Sequence, residues 1–170
     1  MTSIYQHSVV NPFHISVGAV VVNDKGEILT HKMLKKDVPA DMLLAFNYDS
    51  VQKDEIYTLM RETLEDGEVL TDAVMRGVRE EFGVEGTVEK YLGSIQAKAF
   101  AWDKEFEKTT LYFQVSLTTQ NKRPEDPEDF SILEWRTPEF LIQKMQEQGQ
   151  SMNRTDLDES KIIEAYVKFS

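Results

Sequence analysis

One domain of mixed strands and helices, α/β or α+β, is what this 170-residue chain predicts. Three observations lead there. A β-branched apolar run over 14–22, His-Ile-Ser-Val-Gly-Ala-Val-Val-Val, reads as a buried strand. Val74, Met75, Val78 and Phe82 recur at helical spacing and stop at Gly83. Strand-forming runs then resume and give way to two helical patterns at the end of the chain.

In chain order, Pro12 ends whatever precedes it, and the 14–22 strand follows. Asn23-Asp-Lys-Gly26 is a turn signal, so Glu27 to Met33 returns as a second strand. Lys35, Lys36, Asp37 and Pro39 read as loop, and Met42 to Phe46 suits either a strand or one helical turn. Glu55 to Leu59 is a short strand. The helix of the 70s takes Thr71 or Asp72 as its cap, and Gly83 suits the left-handed residue past its end. Thr87 to Phe100 is a long strand with a bulge expected at Gly93, and Lys108 to Thr118 is its partner in composition. Residues 122–129, with two prolines among charges, form a loop. Ile132 to Trp135 is a last strand. Thr137 caps a helix that opens at Pro138, and Leu157 to Phe169 makes another.

Composition narrows the function classes. With 41% hydrophobic and 29% charged residues the chain has an ordinary soluble make-up. No apolar run approaches 18 residues and no basic-then-apolar leader is present, so neither a membrane span nor a secretory signal is expected. The lack of cysteine excludes disulfides, thiolate metal sites and thiol nucleophiles, and suits a reducing cytoplasm. A net charge of −11 argues against binding a nucleic-acid backbone. Phosphates remain possible ligands where divalent ions bridge them.

Residues 58–84 hold the densest pattern. A loop turns at Gly67 and leads into the helix that stops at Gly83. At about 100° per residue, Glu80 lies well round from the apolar stripe while Glu81 lies at its edge. A carboxylate at such an edge is partly dehydrated and calls for a cation or strong donors. Arg76, one turn before Glu80, can pair with it or with Glu68.

This stretch resembles the Nudix box, the loop-helix-loop signature of the MutT-like Nudix hydrolases. Its pattern is Gly, five residues, Glu, seven residues, Arg-Glu, an aliphatic, any residue, Glu-Glu, any residue, Gly, an aliphatic. Glu68, Arg76, Val78, Glu80, Glu81, Gly83 and Val84 fall at the required spacings. Two positions depart: Glu62 stands where the box opens with glycine, and Gly77 stands where a glutamate follows the arginine. The resemblance implies a Nudix-type α/β/α sandwich with a mixed β-sheet, one domain over 1–170. It further implies a small nucleotide-type substrate, with no nucleic-acid or membrane partner, and a homodimer.

The implied chemistry is cleavage of a nucleoside diphosphate linked to another moiety, by water attack on phosphorus assisted by magnesium or manganese. A pyrophosphate repels an attacking oxygen, so divalent ions must neutralise it, and such ions take carboxylate oxygens. Glu80 and Glu81 are the metal-ligating and catalytic candidates, and a backbone carbonyl ligand just before the box maps onto Arg61. Glu68 and Arg76 are scaffold, an ion pair tying loop to helix, and Gly67 serves the left-handed turn. Gly77 removes an acidic residue that the family uses as ligand or base. Three readings stay open: a carboxylate from elsewhere, with Glu62 as candidate; fewer metal ions with a base from a loop; or a nucleotide-binding module without hydrolysis. Candidate loop bases are Glu105, Glu107, Glu125 and Glu128. Phe46, Tyr48, Trp102 and Trp135 are candidates to stack on a base, and residues 34–54 are expected to shape the pocket. His7, His14 and His31 are too scattered for a metal cluster and read as structural. An isomerase of isopentenyl diphosphate, which relies on a cysteine, is disfavoured because the chain has none.

Overall fold

The central strand of the sheet is the β-branched run itself, β1 (Phe13–Val22). The computed structural model describes residues 13–101, 104–120, 123–125, 127 and 129–170. The turn after β1 closes because the Asn23 side chain accepts from the N–H groups of Lys25 and Glu27 at 2.9 and 3.0 Å. β2 (Ile28–Leu34) then runs back. The 42–46 segment is helical, as α1 (Ala40–Phe46), and ends on Asn47 in the left-handed region at φ 58°. The single strand expected at 55–59 is the first of two, β3 (Glu55–Thr58) and β4 (Met60–Thr63).

The box helix α2 (Leu70–Gly77) widens into a π turn (Val78–Phe82), and Gly83 terminates it at φ 65° as expected. Its cap differs from the expectation. The N–H groups of Asp72 and Ala73 bond the Val69 carbonyl, so the helix starts before Thr71 and leaves Asp72 in its first turn. A carboxylate there still faces the positive end of the helix dipole. β5 (Glu85–Ala101) and β6 (Lys104–Thr119) form a long antiparallel pair whose register shifts at Gly93, the expected bulge. Glu105 and Glu107 therefore lie in a strand and not in a loop. β7 (Ser131–Arg136) precedes α3 (Pro138–Ser151), which Thr137 caps by accepting from Phe140 N–H at 3.3 Å. α4 (Ser160–Phe169) closes the chain.

The sheet is mixed, in the order β3-β2-β1-β6-β5, with β1 and β6 parallel from Phe13↔Glu107 to Val22↔Ser116. β1 pairs with β2 only at Val21↔Leu29 and Val22↔Ile28. Beyond that the two part: β4 takes the edge of β1, while β3 and β7 flank β2. Side-chain alternation gives the sheet two buried faces. Val17, Ala19, Val21 and Met60 pack with Val74, Val78 and Phe82 of the box helix. Val20, Val22, Leu59 and Tyr112 pack with Leu141, Met145, Ile162 and Ile163 of α3 and α4. Each fully buried aliphatic contributes about 1.5–3 kcal/mol, enough to fix the helix against the parting of the sheet. Among the described residues no helix is long and apolar enough to cross a membrane.

Candidate active site

Arg76 is the hub of the box. Its Nε and Nη2 donate to Glu68 Oε1 and Oε2, both at 2.9 Å, and Nη2 also donates to the Thr63 carbonyl at 2.8 Å. Nη1 meets Glu62 Oε1 at 3.2 Å and Glu80 Oε2 at 3.5 Å. The guanidinium fork thus ties the loop, strand β4 and the helix together. Gly67 carries the turn at φ 73°, and Glu68 also accepts from Glu65 N–H at 3.1 Å. Hydrogen bonds from Arg76 hold the Glu68 carboxyl below its ordinary range.

Gly77 and Glu62 face each other. A Cβ built on Gly77 would stand 2.7 Å from the Glu62 Cβ and 2.7 Å from the Met60 sulfur. A side chain at 77 would therefore require Glu62 or Met60 to shift, so glycine suits the close approach of β4 to the helix. The two departures from the box, Gly77 on the helix and Glu62 on the strand opposite, thus stand in contact. Burial pushes the Glu62 carboxyl up, with Arg76 and the Thr63 N–H pulling it down and the nearby Glu80 charge adding to the rise.

Glu81 is held by a residue the sequence left as structural. His31 Nε2 lies 2.7 Å from Glu81 Oε2, and His31 Nδ1 lies 2.8 Å from Ser131 Oγ. His31 is buried on β2 with its ring 5.0 Å from that of Phe82. His31 thus bridges the Glu81 carboxyl and the Ser131 hydroxyl through its two ring nitrogens. A lone histidine fifty positions from its partner carries no local signal. The exposures follow the helical-wheel expectation, 13% for Glu81 and 32% for Glu80.

The remaining candidates scatter. Arg61 precedes Glu62 on β4, as the carbonyl assignment requires, and its side chain points to the opposite face, towards Tyr48 and Glu159. Glu125 is exposed, but its backbone N–H bonds the Arg79 carbonyl at 3.4 Å, so its loop lies against the π turn. Glu105 pairs with Lys98 at 2.8 Å, away from the box, and Glu107 is exposed on β6. Glu128, Trp102 and His7 lie outside the described residues. Trp135 packs against the α2-side core, whereas Phe46 and Tyr48 stack on each other at 5.5 Å. An open groove between Val51–Glu55 and Lys144–Ser151 contains none of the box residues.

Among the described residues no three His, Cys, Asp or Glu side chains are gathered as a metal cluster. The box carboxylates are instead turned onto Arg76 and His31. Their donor chemistry suits a hard divalent cation, since Glu62 and Glu80 converge on one guanidinium and repel each other.

A family model described as the NUDIX domain matches residues 12–155. The chain belongs to the Nudix family. Among solved structures it is similar to a Nudix hydrolase from Nitrosomonas europaea, with 18% identity, a TM-score of 0.61, and 92% of this chain and 89% of that one covered. The E. coli ORF135 protein gives 20% identity and a TM-score of 0.51 over 92% and 89% of the two chains. A MutT protein from Methanosarcina mazei gives 17% and 0.53 over 83% and 93%. At these identities the structures establish the α/β Nudix fold. No curated protein matches the sequence. Family membership implies hydrolysis of nucleoside diphosphate derivatives, a reaction that Nudix enzymes generally run with divalent metals.

Proposed function

We propose that the chain hydrolyses the pyrophosphate linkage of a nucleotide or nucleotide-sugar with magnesium or manganese, and that Glu62 supplies the carboxylate that Gly77 lacks. The observation that carries this reading is the contact between positions 62 and 77. That contact accounts for glycine at 77 opposite a side chain at 62, and the side chain there is a partly buried carboxylate that meets Arg76 beside Glu80.

Glu62, Glu80, Glu81 and the Arg61 carbonyl would hold the metal, which when bound neutralises the pyrophosphate and activates water. Arg76 keeps Glu62 and Glu80 within reach of one point while its bidentate pair with Glu68 fixes the loop. His31 orients Glu81. The base that accepts the water proton is assigned to Glu125, whose backbone N–H meets the Arg79 carbonyl of the π turn, with Glu128 as the other candidate. The net charge of −11 supports a small substrate reached through metal ions, not a nucleic-acid backbone.

The test is phosphate or pyrophosphate release from nucleoside triphosphates, ADP-ribose, dinucleoside polyphosphates and sugar nucleotides, with each metal in turn. Metal-dependent turnover that Glu81→Gln abolishes is the expected result. No turnover, with some nucleotide still raising the melting temperature, would replace the hydrolase by a binding module.

A further inference from the structure

His31 and Ser131 stand on paired strands, β2 and β7, and meet on the face that carries the box helix. The register sets His31 opposite Leu133, so Ser131, two residues along β7, is its diagonal neighbour on the same face. Ser131 Oγ lies 2.8 Å from His31 Nδ1, and the other ring nitrogen, Nε2, lies 2.7 Å from Glu81 Oε2. The side chains of His31 and Glu81 are 3% and 13% exposed, so water screens their contact little.

The last torsion of a histidine is broad, so a bond at one nitrogen leaves the ring able to rock. A bond at the second nitrogen fixes its plane, and with it the place of Nε2 beside Glu81. Phe82 walls the ring, with the two ring centres 5.0 Å apart. The same turn is reached a second time from the stretch that leads into β7, where Glu125 N–H donates to the Arg79 carbonyl at 3.4 Å. Glu125 and Ser131 thus tie that stretch to the π turn (Val78–Phe82), one by backbone and one through His31. Thr30 offers the contrast. It lies on the opposite face of β2 and bridges the same two strands by donating to the Glu134 carbonyl at 3.2 Å.

We propose that Ser131 is a positioning residue: through His31 it holds the Glu81 carboxylate in the orientation that ligates a divalent cation. The metal role of Glu81 rests on the hydrolase reading; the Ser131–His31–Glu81 chain does not. Hydrogen-bonded partners behind a ligating carboxylate set its aim and so its affinity. The stretch that carries the candidate base and a metal ligand then share one anchor.

The test is manganese binding to the full chain without substrate, followed by electron paramagnetic resonance. Loss of one hydrogen bond corresponds to about two- to tenfold in affinity, and that drop is expected for Ser131→Ala. Ser131→Thr keeps the hydroxyl on a residue that suits a strand and should restore binding. Thr30→Val removes a hydroxyl bond between the same strands; it should lower the melting temperature as Ser131→Ala does, and leave manganese affinity unchanged. In a His31→Leu background Ser131→Ala should cost nothing further, because its route to Glu81 is gone. A wild type that binds no manganese, wild-type affinity in Ser131→Ala, no recovery in Ser131→Thr, an equal loss in Thr30→Val, or an undiminished loss in the His31→Leu background would each overturn the assignment. Turnover with unchanged affinity in Ser131→Ala removes the positioning role and spares the hydrolase. The expected losses without turnover of any nucleotide do the reverse.

Discussion

The two faces of β4 are charged in opposite senses. On the α2 side three carboxylates, Glu62, Glu68 and Glu80, surround one arginine, and Glu81 stands beside them on His31. On the other side two cations, Arg61 and Lys108, crowd the Phe46 ring, and the single carboxylate Glu159 is bonded to Tyr112. Acid in surplus on the α2 side suits a divalent cation. The scaffold residues look different: Glu68 with Arg76, and Gln148 with both backbone groups of Tyr57, are paired in full.

That contrast can be broken by removing members one at a time. Arg76→Met leaves the acidic side without its cation. Losing one partner of a buried pair costs about 3–5 kcal/mol, and with Arg76 and Glu68 at 19% and 15% exposure a loss of about 2–3 kcal/mol in denaturant unfolding is expected. His31→Leu should leave stability less affected and weaken manganese binding, followed by electron paramagnetic resonance, by about 10–100-fold. His31→Gln, which keeps an N–H donor on a side chain of similar reach, should recover most of it.

Titration tells the two faces apart. Burial and the neighbouring Arg61 lower the Lys108 ammonium to about 7 in the folded protein, against an ordinary value of 10.5. Between those values the unfolded chain binds more protons, so stability should rise as pH climbs from about 7 towards 10.5. Lys108→Met should abolish that rise. Glu62 is raised, so its charge opposes folding, and Glu62→Gln should stabilise the protein at neutral pH while weakening metal binding. Glu68 is lowered, so its contribution is present above the ordinary carboxylate range and fades as pH falls through its folded value. Glu68→Gln should destabilise at neutral pH. Urea unfolding across the pH range reads all three.

How much of this was written locally in the chain can be judged residue by residue. The run at 14–22, the Gly83 stop, the Gly93 bulge and the Thr137 cap were legible because each depends on neighbours in sequence. The second strand at Met60–Thr63 was not, since it exists by crossing from the edge of β2 to that of β1, a tertiary event. The box spacing exposed Glu80, Glu81, Arg76 and Glu68 together. Glu62 and Gly77 were visible as two departures, but that they stand in contact is a property of the fold. His31, Ser131 and Lys108 come from separate strands, and no spacing rule joins them.

The role of Glu62 opposite Gly77 is best tested by reversing the two residues. Gly77→Glu alone drives a side chain into Glu62 and Met60, an overpacking that costs about 1–3 kcal/mol, and should lose manganese affinity with it. Glu62→Gly alone should lose the affinity because the carboxylate is gone. The double variant Glu62→Gly/Gly77→Glu restores the family arrangement, and its melting temperature and manganese affinity are expected to return close to wild type. A double variant no better than the worse single, or a Glu62→Gly protein that binds manganese as wild type does, would contradict the claim that Glu62 stands in for the missing glutamate.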